Sequence, residues 1–218
     1  MDTKEILKHC DHTLLSTTAT LQDIYNLCDD AIKYNTASVC IAPCFVKKAK
    51  EYVGDKMKIC TVVGFPNGYN TTKTKVYEAK DAIKNGADEI DVVININNVK
   101  DKNFTAIKQE LRAMRKATQG KVLKVIIETC QLEKKEKIKM CKIITAVGAD
   151  YIKTSTGFST AGAKREDIIL FKNNIGPEVK MKAAGGIRTL EDAQDFINLG
   201  CDRLGTSAIV KIVKEKEA

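Results

Sequence analysis

The sequence predicts an α/β fold, an eight-fold β/α (TIM) barrel formed as one domain over residues 1–218. Three observations point there. The length of 218 residues, with 44% hydrophobic and 29% charged, suits one sizeable core and excludes a wholly disordered chain. Amphipathic stretches alternate with short, nearly continuous apolar runs, the pattern of helices around parallel strands buried on both faces. A triplet also recurs where a helical stretch closes and a strand opens: Gly86-Ala87-Asp88, Gly148-Ala149-Asp150 and Gly200-Cys201-Asp202. Glycine can take the left-handed cap conformation at such a junction.

Taken in order, a first strand near Asp11 to Leu14 leads to a helix over Leu21 to Tyr34, and Ser38 to Ala42 leads to Val46 to Val53. The apolar run Ile59 to Gly64 precedes a helix over Lys73 to Asn85, and Glu89 to Ile94 precedes Phe104 to Thr118. Val122 to Glu128 is followed by Glu133 to Val147, and Tyr151 to Ser155 by Arg165 to Asn173. Val179 to Ala184 leads to Leu190 to Leu199, and Arg203 to Thr206 to Ala208 to Lys216. Each helical stretch carries apolar residues at i, i+3, i+4 and i+7. Eight pairs leave about 27 residues each, near the ~30 of a compact βαβ unit. A doubly wound open sheet is the alternative, but no G-x-G-x-x-G follows the first strand.

A net charge of +8 raises the question of a nucleic acid partner. The lysines, however, recur along the whole chain among 28 acidic residues, and aromatics for base stacking are only 6%. Arginine, the preferred group for bidentate phosphate recognition, occurs only at 112, 115, 165, 188 and 203. Solvated helix faces are expected, with no nucleic acid partner. Met1-Asp2-Thr3-Lys4-Glu5 carries charge where a secretory signal needs apolar residues, and no apolar run approaches the ~18 residues of a membrane span. A soluble cytoplasmic protein without a membrane partner is expected. The eight cysteines form no CxxC pair, which favours reduced, buried thiols over a disulfide framework or zinc site.

Buried parallel strands should be apolar, yet three successive ones hold a lysine: Lys124 in Val122 to Glu128, Lys153 in Tyr151 to Ser155, and Lys182 in Val179 to Ala184. The strand before them holds Asp91. The plainer alternative puts these lysines at strand ends reaching water. Two lysines close together in a partly desolvated pocket cannot both ionise cheaply, so one becomes a nucleophilic amine, and an amine beside a carboxylate is the equipment of Schiff-base carbonyl chemistry. Three turns follow the last three strands: Thr154-Ser155-Thr156-Gly157, Ala184-Gly185-Gly186 and Gly205-Thr206-Ser207. Their small residues, hydroxyls and backbone N–H groups suit an anion at the end of a barrel where phosphate is commonly bound. With His9 and His12 the only histidines, a site of three histidine ligands cannot be built. Cys40 and Cys44 could suggest a thiol nucleophile, but a structural role suits buried cysteines better.

These residues resemble the deoxyribose-phosphate aldolase family of class I, Schiff-base barrels. Asp11-His12-Thr13-Leu14-Leu15, Ser38-Val39-Cys40-Ile41-Ala42-Pro43, Val63-Gly64-Phe65-Pro66-Asn67-Gly68, and Gly86 through Asn95 carry the first half of the match. Leu123 through Thr129, Ile152 through Phe158, Lys182 through Arg188 and Arg203 through Ser207 carry the second. The resemblance implies that Lys153 is the Schiff-base nucleophile, Lys182 the cation that favours its neutral form, and Asp91 the general acid/base, with Lys124 and Asp11 completing a proton relay. It further implies that Thr13 and Cys40 line the substrate pocket, and that Gly157, Gly185, Gly186 and Ser207, beside Thr156, hold a phosphate. The implied reaction is reversible cleavage of 2-deoxy-D-ribose 5-phosphate to D-glyceraldehyde 3-phosphate and acetaldehyde, with neither metal nor organic cofactor. A phosphorylated sugar is then the partner, and a homo-oligomer is expected.

Two departures from the family stand out. Ala208 replaces a second serine found in many relatives, which removes a hydroxyl but leaves a backbone N–H, and the chain ends Lys216-Glu217-Ala218 where some relatives have a tyrosine. A transaldolase-like or keto-acid aldolase is the nearest enzymatic alternative, and a basic nucleic-acid-binding protein the alternative of another class.

Overall fold

The computed structural model describes residues 1–217. Eight parallel strands close into a barrel in chain order: β1 (Cys10–Leu14), β2 (Ser38–Ile41), β3 (Ile59–Val63), β4 (Glu89–Val93), β5 (Val122–Ile126), β6 (Tyr151–Lys153), β7 (Lys180–Ala184) and β8 (Arg203–Thr206). The last strand pairs with the first, Asp11 opposite Gly205. The outer ring contains α1 (Thr3–Lys8), α2 (Leu21–Lys33), α3 (Val46–Val53), α4 (Thr72–Lys84) and α5 (Ile96–Lys100). It continues with α6 (Phe104–Ala117), α7 (Lys134–Val147), α8 (Arg165–Lys172), α9 (Leu190–Asn198) and α10 (Ala208–Glu217).

The period-two geometry of a strand sorts side chains to two sides. Ile90 and Val92 of β4, Leu123 and Val125 of β5, Ile152 of β6, and Met181 and Ala183 of β7 join the main core. The same core receives Ile24, Leu27, Cys28 and Ala31 from α2 and Ile107, Leu111 and Met114 from α6, spaced by one helical turn. The intervening strand residues, among them Asp91, Lys124, Lys153 and Lys182, are left for the barrel interior.

The repeated triplet has a structural cause. Its glycines, Gly86, Gly148 and Gly200, all have positive φ. The N–H of the following Asp88, Asp150 and Asp202 donates to Ile59, Leu123 and Met181 at 2.8, 3.0 and 3.0 Å. Each triplet thus turns the chain out of a helix and pins it to the preceding strand.

Two short helices lie outside the expected pattern, α1 and α5, of six and five residues. Neither is long enough to display helical periodicity. Buried Ile6 and Leu7 pack α1 against the barrel beside α9 and α10. Strand β6 ends at Lys153 rather than Ser155: the Thr154 N–H still donates to Lys182 O at 3.1 Å, but its Oγ1 replaces its carbonyl as acceptor from Ala184 N at 3.1 Å and donates to Ala184 O at 3.2 Å. Six cysteines are buried, but Cys44 is exposed and Cys130 half-buried, so uniform burial of the thiols does not hold. Among the described residues no helix is long and apolar enough to cross a membrane.

Candidate active site at the carboxyl-terminal mouth of the barrel

Strand register assembles the charged interior. Asp91 lies opposite Lys124, Lys153 opposite Lys182, and Lys182 opposite Arg203. Asp91 is the hub: Oδ2 accepts from Lys153 Nζ and Lys182 Nζ, each at 2.8 Å, and Oδ1 from Lys124 Nζ at 2.9 Å. Asp11 Oδ2 accepts from Lys182 at 2.5 Å and lies 3.6 Å from Lys124. Its other oxygen accepts from Arg203 at 2.6 Å and from Ser38 Oγ at 2.8 Å. Glu89 completes the base of the cluster, accepting from Arg203 at 3.0 Å and lying 2.6 Å from Lys124.

Burial would raise the Asp91 carboxyl, but Lys124, Lys153 and Lys182 outweigh it and hold the group well below the carboxylate range. Burial would likewise lower Lys182, yet Asp11 and Asp91 hold it above the ordinary lysine value. Lys124 is raised in the same way, against burial, chiefly by Asp91. Both ammonium groups are therefore fixed charges. Asp11, Glu89 and Asp91 face Lys124, Lys153, Lys182 and Arg203, so a fully ionised cluster carries one surplus positive charge.

Lys153 is the member of this cluster that opens to the mouth. It is 3% exposed, and Lys124 and Lys182 are 0% exposed. It forms part of the floor of a cavity of about 510 Å³. Thr13 of β1 and Ser16 after it, Thr156, Gly157 and Phe158 after β6, Gly185, Gly186 and Arg188 after β7, and Thr206 to Ala208 at the end of β8 line the walls. Phe158 meets Phe65 edge-on at a ring separation of 5.2 Å. Gly185 has φ +80, and a Cβ there would come within 3.0 Å of Gly162 Cα, so a side chain would push the 157–163 loop away. Gly186 has φ +78 with open space on its Cβ side.

The expected site residues thus separate into two layers. Lys153, Thr13, Thr156, Gly157, Gly185, Gly186 and Ser207 line the cavity. Asp91, Lys182, Lys124 and Asp11 lie beneath it, joined to Lys153 through Asp91. Cys40 does not line this cavity: it is 1% exposed and packs with Cys60 and Val62 inside the barrel. The Ala208 N–H expected to remain for an anion already donates to Thr206 Oγ1 at 3.1 Å.

Sequence reasoning does not pick out Glu128. It is 3% exposed, has φ +52, and accepts hydrogen bonds from both N–H and Oγ of Thr156. It reads in sequence as the polar end of a strand, and only its left-handed backbone marks it as a turn. Glu89 and Arg203 are also part of the cluster; the signal available for Glu89 was its position two residues from Asp91 on one strand face.

A parallel barrel with a lysine amine, a buried carboxylate and a polar mouth defines the class of enzymes that handle carbonyls through a lysine. The model of the DeoC/LacD family aldolase matches residues 5–205. A deoxyribose-phosphate aldolase of Clostridium botulinum is 57% identical over 217 residues, covering 100% of this chain and 98% of the relative. One from Streptococcus agalactiae is 58% identical over 217 residues, covering 100% and 97%. A solved tetrameric deoxyribose phosphate aldolase from Aeropyrum pernix superposes with a TM-score of 0.90 at 30% identity, over 100% of this chain and 93% of that one. The chain belongs to the DeoC/LacD aldolase family.

Proposed function

We propose that this single barrel, residues 1–218, reversibly cleaves 2-deoxy-D-ribose 5-phosphate to D-glyceraldehyde 3-phosphate and acetaldehyde through a Schiff base on Lys153. The observation that carries the assignment is the Lys153 amine on the cavity floor, 2.8 Å from the Asp91 carboxylate. Attack on a carbonyl requires this amine in its neutral form. The amine adds to C1 of the open-chain sugar, and water leaves the carbinolamine to give an iminium. A base removes the proton of the C3 hydroxyl, the C2–C3 bond breaks, and its electron pair enters the iminium as an enamine. Glyceraldehyde 3-phosphate departs, C2 is protonated, and water releases acetaldehyde from Lys153. Asp91 is suited to pass these protons through a water, with Lys124 and Lys182 keeping it ionised and Asp11 holding Lys182 charged.

The phosphate is assigned to the backbone N–H groups of Gly157, Gly185 and Gly186 and to Ser207, just before α10, where the helix amino end favours an anion. Thr13 and Thr156 contact the sugar from the cavity wall. The working location is the cytoplasm, where exposed Cys44 would stay reduced. A homo-oligomer is supported by the tetrameric relative. Borohydride reduction with acetaldehyde, pyruvate or dihydroxyacetone tests the class: an adduct with acetaldehyde alone is expected, and one with pyruvate or dihydroxyacetone instead would make the protein a keto-acid or transaldolase-type enzyme.

A further inference from the structure

We propose that Cys40 and Cys60 form a dithiol site, below the catalytic floor, that captures trivalent arsenic in the form of arsenous acid. The two residues are Cα partners on β2 and β3, and both side chains belong to a small interior cluster with Val62, separate from the main core. Their sulfurs and a carboxylate oxygen of Asp91 all lie within 4.8 Å of one another. Cys60 Sγ is 3.2 Å from Asp91 Oδ1 and 3.2 Å from Lys124 Nζ.

The pair is buried, but it is close to the cavity. Leu15 and Phe65 pack over it and are only partly buried, and Leu15 is itself a cavity wall. A small uncharged molecule, of the size of the aldehydes proposed as products, could descend by that route. Once one sulfur is bonded, the second bond is intramolecular and the neighbouring thiol acts at high effective concentration.

The charge environment selects the ligand. Thiolates generally favour soft ions, so cadmium and zinc are obvious rivals. Either would have to enter as a dication, toward a carboxylate that Lys124, Lys153 and Lys182 already crowd within 2.9 Å. Arsenous acid arrives neutral. Each thiol passes its proton to an arsenic-bound hydroxyl, which departs as water while an As–S bond forms. Two S–H and two As–O bonds break, two As–S bonds form, two waters leave, and arsenic stays trivalent without an oxidant or reductant. The captured arsenic displaces the Cys60 thiol from Asp91 and disturbs the carboxylate that holds Lys153.

The full-length protein incubated with sodium arsenite and desalted should retain one arsenic per chain by elemental analysis, with the arsenic linking Cys40 and Cys60 on peptide mapping. A dithiol such as dithiothreitol should strip it, while glutathione at equal thiol concentration should not. Cys60→Ser and Cys40→Ala should each reduce retention by roughly tenfold or more. Cys44→Ala should leave retention unchanged, which removes the exposed thiol four residues from Cys40 as the second ligand. Retention is read without catalysis, so it stands or falls apart from the aldolase assignment. Arsenic mapped to any other pair, none on the folded wild type, or cadmium retained in preference at equal concentration would overturn the proposal. If either variant fails to fold, the cross-link map of the wild type decides.

Discussion

At the residue scale, the charged neighbours distinguish the three interior lysines. Lys182 and Lys124 are held charged by Asp11 and Asp91, against the opposing effect of burial. Lys182→Leu takes away one of the two lysine donors to Asp91 Oδ2, so kcat/KM should fall in a protein that still folds; an unchanged kcat/KM would show that the proposed reaction does not depend on this cation. The proposed phosphate site turns on different atoms. Ser207→Ala should lower kcat/KM for deoxyribose 5-phosphate by the equivalent of about 1.5 to 3 kcal/mol, the range of one hydrogen bond to a charged group. Gly186→Val should cost more, since φ +78 is strained for valine and the side chain would enter the cavity. Unphosphorylated deoxyribose provides the control. An equal loss with both sugars in Gly186→Val would place the phosphate elsewhere.

At the element scale, the turns after the strands are held by side chains as much as by backbone. Glu128 fixes the β6 turn through Thr156, whose Oγ1 in turn accepts from Phe158 N at 3.0 Å. Glu128→Ala leaves the buried Thr156 N–H without its acceptor, a loss of about 1 to 3 kcal/mol. KM for the phosphorylated sugar should rise more than KM for the unphosphorylated one, and Glu128→Gln, which keeps an acceptor oxygen, should recover part of the difference. Equal KM values in wild type and Glu128→Ala would assign the carboxylate to stability alone. The four inward strand charges are legible in sequence because a lysine or aspartate interrupting an apolar run has no place in an ordinary core. The cavity walls after β6, β7 and β8 are legible from small, hydroxylated turns. Glu128 is not, since no sequence pattern announces a glutamate at φ +52. The burial of Cys40 below the mouth is also hidden, because alternation places it inside the barrel without giving its depth.

At the scale of the molecule, folding buries a histidine as well as the charged interior cluster. His12 is 6% exposed, and burial lowers it from 6.5 to about 4, with Asp30 raising it and Lys214 lowering it. The unfolded chain therefore binds this proton first as pH falls. Its contribution to stability is complete above about pH 6.5 and is lost between there and about pH 4, some 3 kcal/mol at most. His12→Phe should flatten the fall in Tm across that interval; the same slope in both proteins would remove His12 as its cause. Asp11 and Asp91, held low, titrate below this window and lose their contribution at more acid pH. Barrel closure itself is foreshadowed by the eight alternating pairs and the three triplets, whereas α1 is too short to leave a periodic signal. The most direct test of the whole account is peptide mapping after borohydride reduction with acetaldehyde, run on wild type and Lys153→Ala. The predicted result is a single reduced adduct on Lys153 in wild type and none in a folded Lys153→Ala. An adduct on Lys124 or Lys182, or one that persists in Lys153→Ala, would contradict it.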